Sequence, residues 1–208
     1  MKELYQSKYE ACPHLRKYEA CPLVSKYEAC PLISKYEAYP FLSDASDDLR
    51  CDFEILTDEI ASLVGLLRGM VSCEDLRDEL RFVCETIYHI NPSLRTHTSV
   101  TQEELRRLDQ IVQRLQGEMQ GSPSFVLPVG CESGAMAHVI RVKCKACVRL
   151  LYRYHGTGQD VDPLVLDFMN LFSGYFFFLA LYLNAQSGTA ELPYISRNYG
   201  VKTREETC

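Results

Sequence analysis

Between Met1 and Val64 this chain of 208 residues contains no glycine, so its early part lacks the residue that lets backbone N–H groups close tightly around an anion. A cationic excess is missing too. Lys and Arg number 22 against 28 Asp and Glu, for a net charge of −6 and a pI near 5.4, which argues against a general nucleic-acid binder. The opening MKELYQSKYE carries no apolar signal stretch, and the expected address is a reducing, cytoplasmic compartment with free thiols. There is no nucleophile elbow, no Walker loop, no Gly-rich dinucleotide fingerprint and no His-Glu-x-x-His. From about residue 52 no stretch alternates convincingly with period two, so no sheet is expected there.

What is present is an ordinary globular balance, 47% hydrophobic and 24% charged, which excludes bulk disorder. Ten cysteines are about 5% of the chain, below the roughly 8–10% of a disulfide scaffold. Three of them belong to a tandem repeat of period nine over residues 8–43: Lys8-YEACPHLR, Lys17-YEACPLVS, Lys26-YEACPLIS and Lys35-YEAYPFLS. A proline every nine residues forbids a continuous helix, and nine is far below the roughly 20–50 residues of a solenoid unit. The thiols of Cys12, Cys21 and Cys30 suit a soft metal such as Cu(I) or Zn. Their spacing matches no C-x-x-C zinc pattern, however, and simple duplication is the favoured account of the copies.

From about residue 52 the apolar periodicity is helical. Ile60, Leu63, Val64, Leu67 and Val71 form one stripe; Leu76, Leu80, Val83, Ile87 and Ile90 form a second, stopped by Asn91-Pro92. Thr101-Gln-Glu-Glu104 predicts a capping box opening a third helix along Leu105, Leu108, Ile111, Val112, Leu115 and Met119. A fourth helix is expected from near Glu132 to Tyr154. A fifth should start at Asp162-Pro163, an N-cap followed by proline at the first helical position, and reach about Asn184. Its Leu164–Leu183 stretch is long enough to span a bilayer, but Asp167 and Asn170 lie inside it and no Lys/Arg cluster flanks it. A buried bundle helix is therefore the expectation, with no membrane span. The predicted fold is all-α, a five-helix bundle over 46–190, preceded by the repeat segment 1–45 and followed by a tail, 191–208.

Candidate chemistry gathers on the fourth helix. Arg141, Lys145 and Arg149 recur every four residues and share a face, with His138 one turn earlier. Such a row suits a polyphosphate through charge-assisted hydrogen bonds, or is simply a solvated face. Cys144 and Cys147 are half of a zinc site but read better as buried free thiols, and His138 taken alone reads more readily as a core histidine than as a catalyst.

Phe125-Val-Leu-Pro-Val-Gly130 followed by Ala137-His138-x-x-Arg141 resembles the trimeric, five-helix-bundle ATP:cob(I)alamin adenosyltransferases, whose pattern is F-[IV]-L-P-G-G, then A-L-H-x-x-R-x-x-x-R-R-x-E-R. Asn170-Leu-Phe-Ser-Gly-Tyr175, running on to Asn184, is similar to the family's N-R-L-S-D-Y segment. Asp47-Asp-Leu-Arg50 and Thr57-Asp58-Glu59 look like the elements leading into its first helix. The resemblance covers about residues 46–190. It implies a homotrimer that binds cobalamin, a corrinoid, and ATP with Mg. In the reaction it implies, cob(I)alamin attacks the ribose C5′ of ATP and triphosphate leaves.

By the same resemblance Asp58 pairs with Arg141 across a subunit boundary and shapes the corrinoid pocket with His138. Phe125 helps exclude the lower axial ligand of cobalt, which makes Co(II) easier to reduce. Lys145, Arg149 and Asn170 fall on the nucleotide side. The departures cluster there: Ala146 and Val148 replace an arginine and a glutamate, Leu171 an arginine and Gly174 an aspartate. The glycine-containing phosphate loop of the family has no counterpart, and the nonapeptide repeats stand in its place. The competing expectations are therefore a divergent adenosyltransferase, a non-catalytic corrinoid-binding module that has lost its ATP site, and metal or redox work by the repeats on an oligomeric scaffold.

Overall fold

The computed structural model describes residues 41–42, 47–119 and 125–198. The nonapeptide repeats, apart from Phe41 and Leu42, lie outside the described residues. The chain divides into two compact units, Met1–Cys51 and Asp52–Cys208. In the first, Asp48 accepts a hydrogen bond from Arg50 Nε at 2.8 Å.

Five α-helices form among the described residues: α1 Leu49–Met70, α2 Glu74–Ile90, α3 Gln102–Gly117, α4 Glu132–Gly156 and α5 Pro163–Gln186. The expected all-α class holds, and among the described residues no strand accompanies the helices beyond one isolated antiparallel bridge, Val126 to Pro193. Along α1 the residues Phe53, Thr57, Ile60, Val64 and Leu67 are fully buried at three- and four-residue steps. Val71 is buried one residue beyond the helix end. Helix α2 stops at Ile90 because Pro92 lacks the N–H that the next turn requires, and the chain tightens into a 3-10 turn, Asn91–Leu94.

Helices α1 and α2 run antiparallel, and their seam closes in successive rungs. Arg68 Nε donates to Arg77 O at 3.0 Å, Cys84 Sγ lies 3.6 Å from Ala61 O, Tyr88 donates to Asp58 Oδ1 at 2.6 Å, and Asn91 Nδ2 donates to Glu54 O at 2.7 Å. Below the last rung Arg95 Nε reaches both oxygens of the buried Glu54 carboxylate, at 2.8 and 2.7 Å.

The capping box of α3 is present: Thr101 Oγ1 accepts from the Glu104 N–H at 3.2 Å, and the Glu104 carboxylate accepts from the Thr101 N–H at 2.8 Å. Asp162 caps α5 by accepting from the Leu164 N–H at 2.9 Å, with Pro163 in the first turn. Helix α4 runs two residues past the expected Tyr154 and packs most extensively on α5, which also covers α3. Phe168, Phe172, Tyr175 and Phe176 of α5 are fully buried.

A polar tie joins three helices through this core. The hydroxyl of fully buried Tyr175 donates to Glu79 Oε1 at 3.0 Å, and Arg114 of α3 pairs with Glu79 Oε2 at 2.6 Å. Burial raises the Glu79 carboxyl above its ordinary range, and Arg114 only partly offsets this. By length and composition α5 would suffice to cross a bilayer, yet half of its most apolar window is buried inside the chain. Those side chains fill the bundle core, and the helix carries Asp167 and Asn170 on its exposed positions.

Candidate functional site

Two segments converge at the start of α4. Leu127 donates its N–H to Leu192 O at 2.9 Å, and Tyr194 donates to Phe125 O at 2.7 Å, on either side of the Val126–Pro193 bridge. Side chains alternate along extended backbone, so Phe125, Leu127, Leu192 and Tyr194 share one face of this short ribbon. All four are exposed, Phe125 to 85%. Contiguous exposed apolar surface of this kind marks a binding or contact surface.

The ribbon is tied to the bundle by Asn184 of α5, fully buried. Its Oδ1 accepts from the Cys131 N–H at 3.0 Å, and its Nδ2 donates to Val129 O at 3.2 Å and to Glu191 Oε1 at 2.8 Å. Glycine is required twice against this amide. A Cβ on Gly130, which has φ +144°, would lie 2.1 Å from Asn184 Oδ1, and one on Gly134 would lie 2.3 Å from it. Cys131 caps α4 by accepting from the Gly134 N–H at 3.3 Å. Burial raises its thiol, but hydrogen bonds led by those from Ser133 and Gly134 outweigh this and hold the thiol below its ordinary range.

Further along α4, His138 is 3% exposed and neither ring nitrogen has a hydrogen-bond partner. Burial, with the neighbouring Arg141 cation, pushes it down to about 4, so the ring is neutral at physiological pH. Arg141 is half-buried, its guanidinium carbon 5.8 Å from the Phe177 ring centroid, and its Nε is buried without a partner. Burial also lowers the Arg141 guanidinium. The His138 ring centroid lies 6.4 Å from that of Phe177, so one aromatic ring borders both groups.

The remaining expected positions divide between the helices. Asp58 is exposed on α1, held by Tyr88, and within the single chain it makes no ion pair with Arg141. Helix α1 nevertheless reaches α4 through Lys143 Nζ, 2.6 Å from Glu59 Oε1. Lys145 and Arg149 are exposed on α4, about one turn apart. Asn170 is exposed on α5, its Nδ2 donating back to Leu166 O at 3.0 Å. The chain thus brings His138 and Arg141 together around Phe177, lines up Lys145 and Arg149 beyond them, and leaves Asp58 and Phe125 facing outward. Cys144 and Cys147 are buried free thiols, and no metal-competent cluster of His, Cys, Asp or Glu exists among the described residues.

Sequence reasoning missed Phe177, Tyr88, the Lys143–Glu59 pair and the anchoring role of Asn184. Only Asn184 had a local signal, as the end of the motif that opens at Asn170.

Several known proteins resemble this chain. The corrinoid adenosyltransferase of Bacillus subtilis is 26% identical over 157 residues, covering 71% of this chain and 81% of its own length. The corrinoid adenosyltransferase of Bos taurus is 24% identical, covering 71% and 66%. Among solved structures, a variant PduO-type ATP:corrinoid adenosyltransferase from Lactobacillus reuteri, complexed with cobalamin and ATP, superposes with a TM-score of 0.65 at 20% identity, covering 72% of this chain and 88% of that one. A second variant in the same complex reaches 0.67, covering 78% and 97%. These superpositions establish the fold. With residues 45–183 matching the model of the cobalamin adenosyltransferase family, this chain belongs to that family.

Proposed function

We propose that this protein binds a corrinoid beside Phe125 and Arg141 and transfers the adenosyl group of ATP to cob(I)alamin. In that reaction a cobalt–carbon bond forms at the ribose C5′, the C5′–oxygen bond breaks, and triphosphate leaves with the electron pair. The observation that carries the reading is the state of the corrinoid-side groups. Phe125 is 85% exposed on an apolar ribbon face, Arg141 keeps an unpartnered Nε beside neutral His138, and Asp58 is exposed on α1.

These groups fit a corrinoid. A flat apolar macrocycle matches the ribbon face, and its polar side arms supply acceptors for Arg141 and His138. Phe125 excludes water and an axial ligand from one face of cobalt, which favours the reducible four-coordinate Co(II) state. Lys145 and Arg149 fit the anionic end of ATP with its Mg, and Asn170 lies on the same side in the family pattern. The site is completed between copies, with Asp58 of one chain meeting Arg141 of the next in a homotrimer. Exposed Ile55, Leu66 and Met70 on α1 and Val139 and Val142 on α4 support such a contact. The six free cysteines among the described residues accord with a cytoplasmic protein.

Anaerobic titration with cob(II)alamin, read by visible and magnetic circular dichroism spectra with and without ATP, tests the reading. A four-coordinate Co(II) signature that requires ATP, followed by adenosylcobalamin once a reductant is added, supports the transferase. Corrinoid binding indifferent to ATP would instead identify a non-catalytic corrinoid module. No spectral change in either condition overturns both.

A further inference from the structure

The seam between α1 and α2 places one residue outside the family pattern directly on Asp58. Tyr88 donates its hydroxyl to Asp58 Oδ1 at 2.6 Å across 30 residues of sequence. The contact is no accident of two loose surface side chains. It sits between the Cys84–Ala61 rung on one side and the Asn91–Glu54 and Asn91–Thr57 rungs on the other, the last at 2.8 Å. Ile60 and Val64 of α1 and Val83 and Ile87 of α2 are fully buried along the same stretch of the two helices. Tyr88 is 55% exposed, so its hydroxyl is not a buried group that the packing depends on.

We propose that Tyr88 is a positioning residue for Asp58, holding one carboxylate oxygen so that the other is presented to Arg141 of a neighbouring copy. The inference rests on the Asp58–Arg141 pairing advanced above. An unrestrained aspartate on an exposed helix face samples several rotamers, and freezing one of them costs binding free energy. A short hydrogen bond to an ionised acceptor, set by helix register, meets part of that cost in the free chain. Asp58 raises the Tyr88 phenol above its ordinary range, first through this hydrogen bond and then with burial, so the hydroxyl remains a donor at any physiological pH. Exposed Ile55, one turn before Asp58, flanks the carboxylate with apolar surface, as expected of a charged group that becomes desolvated in an interface.

The test uses the purified full chain, cob(II)alamin as the probe, saturating ATP and anaerobic conditions. Tyr88→Phe keeps the ring and removes only the donor. It should raise the Kd for cob(II)alamin about fivefold and reduce the four-coordinate Co(II) fraction, with Tm unchanged. In an Asp58→Asn background the same substitution should add no further loss, since its effect passes through that carboxylate. Wild-type affinity in Tyr88→Phe, or an equal additional loss in the Asp58→Asn background, overturns the positioning role while leaving the Asp58–Arg141 reading standing. Wild-type corrinoid binding in Asp58→Asn itself would remove the pairing, and the proposal with it.

Discussion

Arg141 and His138 show how burial sets chemical role at the level of single residues. Both stand on α4 beside Phe177, and both hold polar nitrogens that the chain does not satisfy. A guanidinium can form a planar, bidentate contact that lysine cannot copy. Arg141→Ala should therefore abolish the ATP-dependent four-coordinate Co(II) signal, and Arg141→Lys should recover little of it despite the retained charge. Magnetic circular dichroism of anaerobic cob(II)alamin mixtures measures both.

His138 makes a different, pH-dependent prediction. Its ordinary value of 6.5 applies to the unfolded chain and about 4 to the folded one. As pH falls below 6.5 the unfolded chain binds a proton that the folded chain refuses, so stability declines from about pH 6.5 until the folded ring titrates near 4. The loss is at most about 3 kcal/mol across that window. Urea unfolding at several pH values should show this slope in the wild type and a flatter one in His138→Leu.

At the scale of elements, caps and close approaches decide where the site-bearing segments lie. Asp162→Ala removes the side-chain acceptor at the start of α5 and should cost about 1 kcal/mol in urea unfolding, with the bundle intact. Gly130→Ala is a harsher change, because its Cβ would overlap the Asn184 amide that ties the Phe125 ribbon to α5. The physical expectation is a loss of about 1–3 kcal/mol and a displaced Phe125, read together as a lower Tm and weakened cob(II)alamin binding. Both caps were legible from sequence because a cap joins residues two or three positions apart. The Tyr175–Glu79 and Arg114–Glu79 contacts, spanning 96 and 35 positions, had no local signal at all. The same holds for Lys143–Glu59, which exists only because α1 and α4 are neighbours in space.

At the scale of the whole molecule, the exposed apolar residues of α1 and α4 are where the proposed contact between copies is tested. Val142, 54% exposed on α4, is the sharpest test among them. If the proposed homotrimer forms, Val142→Glu should convert it into smaller species in sedimentation velocity and weaken corrinoid binding in parallel, since each proposed site draws on two copies. Deleting 8–43 should leave both assembly and corrinoid binding unchanged if the nonapeptide repeat is passive; loss of either assigns the repeat a part in the assembly.

Several determinants were local and so belong to the sequence alone. Apolar residues at helical spacing, the Thr101 and Asp162 caps and the Pro92 stop were enough to specify five helices and their approximate ends. The glycine-free opening likewise sets this chain apart from a glycine-containing phosphate loop. The tertiary structure decided what those helices do to one another's side chains. Packing of α4 on α5 buries His138 and leaves it neutral, the α1–α2 register sets Tyr88 on Asp58, and Asn184 holds the Phe125 ribbon outward. Each outcome depends on desolvation or on contact between residues far apart in the chain, quantities that exist only once the helices have found their neighbours.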